Sequence, residues 1–179
     1  MGINLIAALW GFAEATLFVL VPDILLSALS LSRLRTGLVA CLWTLAGALM
    51  GGAVMYIWGF KNLPGALAVL EALPGISPEL LERVHQNLAE HGLVEIFLAP
   101  LFGVPYKILA VQAPAAGISL GAFLFISIPA RLVRFASVTA LAWWIFGRLP
   151  SRWSHRRKLA LLFVCWLIFY AFYFSVMPG

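Results

Sequence analysis

Long apolar runs alternate with short polar interruptions along this chain, and the interruptions divide it into elements. Residues 3–31 are apolar apart from Asn4, Glu14, Asp23 and a few hydroxyls, with Pro22-Asp23 splitting a longer piece from a shorter one. Either a single spanning helix with a frayed end or a re-entrant hairpin with its tip near Pro22-Asp23 fits that run, and the hairpin accounts for Glu14 near its middle. Arg33 and Arg35 mark a basic loop, after which 36–60 carries no charge and is long enough to cross the ~30 Å hydrocarbon core. Residues 61–76 are broken by Pro64, Gly65, Pro74 and Gly75, leaving room for a short helix over 66–72. Ser77-Pro78-Glu79 opens an amphipathic helix over 77–91: Ser77 caps it, Pro78 suits the first position, and Leu80, Leu81, Val84 and Leu88 form one stripe. Glu79 and Arg83 are spaced to pair on its face.

The second half repeats the outline. In 93–117, Pro100, Pro105 and Pro114 interrupt an apolar run and deny it a straight helix, so a second re-entrant hairpin is expected there. A long transmembrane helix follows over 119–146, with a kink expected at Pro129. A basic linker covers 148–158 and a last transmembrane helix 159–176. The expected fold is therefore an all-α integral membrane protein in one domain (1–179), with two re-entrant hairpins and about three spanning helices. Hairpin then helix, twice, from opposite faces, is the outline of an inverted repeat.

Composition agrees with the membrane reading. The chain is 63% hydrophobic and 11% charged, against roughly 25% charged in soluble domains. Its net charge of +5 reports topology before it reports a nucleic-acid partner. Loops 33–35 and 148–158 hold Arg and Lys without acids and are expected in the cytoplasm, while 61–92 carries four glutamates and is expected outside. No cleaved signal peptide is expected, although Ser27-Ala28-Leu29-Ser30 mimics a cleavage site. Cys41 and Cys165 sit in apolar runs and are expected to be buried free thiols. Gly47 and Gly51 make a small-xxx-small face for close helix packing, widened by Gly52 and Gly59.

Charges inside the apolar runs are the candidate chemistry. Glu14, Asp23 and Glu95 are the acids; Lys107, Arg131 and Arg134 are the bases, the arginines three residues apart on one helix face. Isolated ions in lipid are costly enough that these groups should meet or share a wet cavity. Structural ion pairs holding the hairpins in register are one outcome. The other is a site in which arginine forks and a lysine bind phosphate oxygens while an acid exchanges a proton. His85, His91 and His155 lack metal-ligand spacing, so neither a metal nor a cofactor is expected, and no motif of a catalytic nucleophile is present.

Gly103-Val104-Pro105-Tyr106-Lys107, Gly117, Phe123, Arg131 and Arg134-Phe135 together resemble the C-terminal motif of the DedA (VTT, SNARE-associated-Golgi-protein-like) family, nearest its small YqaA-like branch. Glu14 and Pro22-Asp23 resemble that family's early membrane glutamate and later Pro-Gly-acid, with the glycine missing. The family's Arg-Phe-x-Pro-Gly-x-Arg is not intact: Ala99 stands where its first arginine would be and Lys107 where its second would be. The resemblance covers about Phe12 to Trp144. It implies a transporter and no enzyme: a proton-linked flippase or scramblase for an anionic lipid or lipid-phosphate carrier in the bacterial inner membrane. Lys107, Arg131 and Arg134 would bind substrate, Glu14 and Asp23 would couple protons, and Pro22, Gly103, Pro105 and Gly117 would break the hairpins. The expected partners are membrane lipids, with a homo-oligomer open. The alternative is a structural or assembly protein of the membrane whose buried ion pairs transport nothing.

Overall fold

The computed structural model describes residues 2–149 and 153–176, so Arg152 of the predicted basic linker lies outside the described residues. Among these the chain is helical with no strand: α1 (Gly2–Ala15), α2 (Asp23–Ser30), α3 (Leu34–Lys61), α4 (Leu63–Glu71), α5 (Pro78–His91), α6 (Leu93–Leu98), a 3₁₀ turn (Ala99–Phe102), α7 (Tyr106–Gln112), α8 (Leu120–Gly147) and α9 (His155–Val176). Two of them, α3 and α8, are long and apolar enough to cross a membrane. Large apolar side chains are exposed on most of the helices, among them Leu5, Met50, Phe60, Phe125, Leu167 and Phe172. A surface of that kind suits hydrocarbon better than water.

Helix α3 is the spine, and its glycines set how closely the others approach. A β-carbon on Gly47 would run into the Ala8 carbonyl of α1, and one on Gly51 would lie 2.7 Å from the Phe12 carbonyl. Gly52 likewise makes room for the Tyr106 ring, and a β-carbon on Gly59 would run into the Val111 carbonyl of α7. Removing side chains on this face lets backbones touch, which is how helices pack tightly without a hydrophobic driving force between them.

Helix α8 lies antiparallel to α3. Near one end of the pair Phe123 packs on Tyr56 (ring centroids 5.8 Å apart); near the other the Cys41 Sγ meets the Thr139 Oγ1 at 3.3 Å. The start of α3 and the end of α8 therefore share the end that carries Arg33, Arg35 and Arg148. Lys158 of α9 reaches back there to the Phe146 carbonyl at 3.1 Å. Helices α4 and α5, bearing Glu71, Glu79, Glu82 and Glu90, sit at the other end.

Between these ends two broken segments fold back on themselves. Ala7 of α1 packs in one cluster with Leu26, Ala40, Cys41 and Phe135, and Ser30 of α2 meets Gly37, so both arms of the first segment reach the basic end. Ile118, past the second segment, accepts a hydrogen bond from the Tyr56 hydroxyl (2.7 Å), and Gln112 donates to the Leu81 carbonyl of α5 (3.0 Å), both at the acidic end. The two turns meet halfway along α3 and α8.

Several elements differ from the sequence reading. The first break spans the residues from Thr16 to Pro22, with Asp23 already in α2. Helix α4 begins at Leu63, ahead of the expected 66, because the Asn62 side chain caps the Gly65 N–H (3.0 Å) and Pro64 falls in the first turn, where its missing N–H costs nothing. The stripe of α5 is buried as expected, but Glu79 and Arg83 form no ion pair; Glu82 instead accepts from Gln86 (2.8 Å), as an exposed pair worth only about 0.2–0.5 kcal/mol readily gives way. Its own N–H and the Ser77 hydroxyl hold the Glu79 carboxyl below the usual range. Cys165 is exposed on α9, whose residues face outward except on one side, whereas Cys41 is buried.

Candidate functional site

The ionisable groups of both halves converge where the two turns meet. Arg131 projects from α8 and is fully buried, its guanidinium spanning both oxygens of Glu14 on α1: one nitrogen is 3.4 Å from Oε1, the other is bonded to Oε2. A planar fork on a carboxylate gives two charge-assisted hydrogen bonds and fixes both groups in orientation. The guanidinium also lies between two aromatic rings, 4.5 Å from the centroid of Tyr106 and 4.8 Å from that of Phe135. Phe135 is one turn along α8 from Arg131, and Tyr106 is held in place by stacking on Phe123 (5.4 Å). The Nε of Arg131 has no hydrogen-bond partner among the described residues.

A second pair lies one turn away. Arg134 Nη2 is 3.1 Å from Asp23 Oδ2, and its Nη1 donates to the Pro100 carbonyl at 3.3 Å. This arginine thus ties the start of α2 to the 3₁₀ turn of the second broken segment. The two pairs differ in access: the Arg131 side chain has no exposed surface, whereas that of Arg134 is 17% exposed. Asp23 is buried, and its Oδ1 has no hydrogen-bond partner among the described residues.

Lys107 completes the layer. It is buried at the start of α7 and donates from Nζ to the Phe18 carbonyl in the first break, at 2.7 Å. No carboxylate among the described residues lies within ion-pairing distance of it. A backbone carbonyl of the first break takes the cation instead, which joins the two breaks directly. Glu95 stands apart: its Oε1 accepts from Asn87 of α5 at 3.0 Å, so it braces a surface corner and does not enter the layer.

The breaks are built by different residues. Gly103, at φ +92, turns the chain out of the 3₁₀ turn, and Gly117, at φ +74, turns it toward α8; both values lie in the left-handed region that favours glycine. Pro105 holds extended backbone just before α7, and Pro22 immediately precedes α2.

Some contributors were not visible as site residues in the sequence. Phe18 and Pro100 act through carbonyls, which carry no sequence signature. The C-terminal helix also reaches the first break: the Val21 N–H donates to the Tyr170 hydroxyl at 2.8 Å, and Trp166 Nε1 donates to Ser27 Oγ at 3.1 Å. Phe135 carried a signal, since it stands four residues after Arg131 on a helix.

No family model matches the chain, and no solved structure matches it. An uncharacterized protein of Haemophilus influenzae is 25% identical over 134 residues, covering 75% of this chain and 69% of that protein.

Proposed function

We propose that the chain is a membrane carrier that moves an anionic, phosphate-bearing lipid across the bilayer with a proton linked to the movement, as its resemblance to the DedA family implies. The observation that carries the reading is the buried ionic layer, in which Glu14 and Asp23 of the first broken segment meet Arg131 and Arg134 of α8, and the Phe18 carbonyl of the same segment takes Lys107 of α7. Three cations and two acids in an apolar bundle are expensive to keep unless they act. Lys107, Arg131 and Arg134 would hold the phosphate; Glu14 and Asp23, displaced from their partners, would take up the proton. Arg134, the more exposed arginine, would meet the headgroup first.

Element lengths support re-entrant hairpins. Helix α1 has 14 residues, about 21 Å, and the 7 residues of α7 span about 11 Å; both fall short of the ~30 Å core. Helix α9, with 22 residues and about 33 Å, serves as a third crossing. The two segments insert from opposite ends, in keeping with an inverted repeat around a mid-membrane site. With the basic end in the cytoplasm the arrangement fits the bacterial inner membrane.

A second reading has one observation in its favour. The Arg131–Glu14 pair is sealed between two rings, as in a purely structural lock. Arg131→Lys separates the readings, since it keeps the charge and removes the fork. In vesicles assayed for headgroup-resolved flipping, this variant is expected to lose at least tenfold in rate while its melting temperature in detergent moves little. Full-rate flipping by the Lys variant would reduce Arg131 to a structural charge.

A further inference from the structure

A shallow groove of about 320 Å³ runs along the outer face of the first broken segment, lined by Ile6, Leu9, Trp10, Ala13 and Phe18. Its walls are fixed. Trp10 and Phe18 meet edge to face with centroids 6.1 Å apart, and Trp10 Nε1 donates to the Leu20 carbonyl at 3.0 Å, closing the indole over the turn. An apolar face on a membrane protein ordinarily needs no occupant beyond bulk lipid. This one differs because of Phe18, whose ring lines the groove while its carbonyl accepts Lys107 Nζ at 2.7 Å. The outer groove and the buried cation are thus one residue apart. An ammonium has three donors, and this contact uses one.

We propose that the groove seats a hydrocarbon chain of the anionic lipid, with Phe18 as the junction between the chain seat and the Lys107 headgroup site. The inference rests on the carrier reading for its headgroup and adds the tail. It makes the ligand a lipid phosphate and excludes a free phosphate ion, because the groove offers only apolar surface. Ala13 is the one small residue of its lining, so Ala13→Leu fills the groove while leaving every charged side chain of the layer in place.

The test is independent of transport. Trp10 is retained and the other six tryptophans (Trp43, Trp58, Trp143, Trp144, Trp153 and Trp166) are changed to Phe in the full chain. The protein is reconstituted in phosphatidylcholine vesicles and titrated with phosphatidic acid or phosphatidylcholine, each with brominated chains that quench indole emission on contact. Half-quenching is expected at a mole fraction at least fivefold lower for the phosphatidic acid. The protein's net charge of +5 gathers anionic lipid nonspecifically, so Lys107→Gln sets the baseline, and there the preference is expected to fall below twofold. Ala13→Leu is expected to abolish it with Lys107 intact. The unmodified chain gives a second readout should the tryptophan replacements prevent folding: long-chain phosphatidic acid is expected to raise its melting temperature, and inorganic phosphate is not. Equal quenching by the two lipids, a preference that survives Ala13→Leu, or equal stabilisation by inorganic phosphate would each overturn the chain seat. Flipping without a Trp10 preference would sink this inference and spare the carrier; a Trp10 preference without flipping would do the reverse.

Discussion

Glu14 and Arg131 show how much a single buried residue decides. Removing one member of such a pair leaves an uncompensated charge and costs roughly 3–5 kcal/mol. The carboxamide of Glu14→Gln still accepts from the guanidinium but cannot titrate. That variant is expected to express and fold, with a flattened pH dependence of flipping; Glu14→Leu is expected to fold poorly. Flipping measured from pH 6 to 8 in both variants checks this, and an unchanged pH profile in Glu14→Leu would make the glutamate incidental. That these charges belong together was legible from the sequence, because ions at membrane depth have few affordable partners. Which acid meets which base was not. Glu95 looked as eligible as Glu14 in one dimension, yet it faces Asn87 at the surface. Lys107 found a carbonyl, a partner that no side-chain pattern can announce.

At the level of elements, the seam between α1 and α3 is the most sensitive joint. Gly47 and Gly51 were readable as a packing face, and the structure puts α1 against it. A leucine at Gly47 would push α1 off the spine and carry Glu14 away from Arg131. Overpacking alone costs about 1–3 kcal/mol, and the lost pair adds to it. Gly47→Leu is therefore expected to lower the melting temperature in detergent clearly, whereas Gly121→Leu, at a position with open space around it, is expected to leave it nearly unchanged. Equal shifts in the two would remove the seam's special role. Helix α5 shows the opposite case: Ser77-Pro78-Glu79 marked its start because capping is a local matter, independent of the rest of the fold. The start of α4 was misjudged by a few residues, since Pro64 reads equally as a stop and as a first-turn residue.

For the whole molecule, the charges outside the ionic layer divide between a basic and an acidic end. That division was readable from loop charge alone, because Arg and Lys cluster in loops regardless of packing. The meeting of the two breaks halfway between the ends was harder to read, since it depends on contacts between distant halves of the chain. Residues 92 and 118 flank the second broken segment, and a hairpin returns both to the acidic side. Cysteines at Gly92 and Ile118 in a background of Cys41→Ser and Cys165→Ser are expected to react with an impermeant thiol reagent from the same side of sealed vesicles. Reaction from opposite sides would turn the segment into a crossing helix.

The pairing of Glu14 with Arg131 also sets a timetable. Its partners are separated by 117 positions, so the glutamate leaves the ribosome well before the arginine exists. At about 5–20 residues per second the wait is roughly 6–23 s. Throughout that interval the guanidinium of Arg131 is missing, and hydrocarbon offers none of the hydrogen bonds Glu14 needs. On the membrane reading proposed above, the first segment is expected to stay at a wet margin until α8 emerges. Assembly on that reading would run backward relative to synthesis, with the part made first among the last to settle.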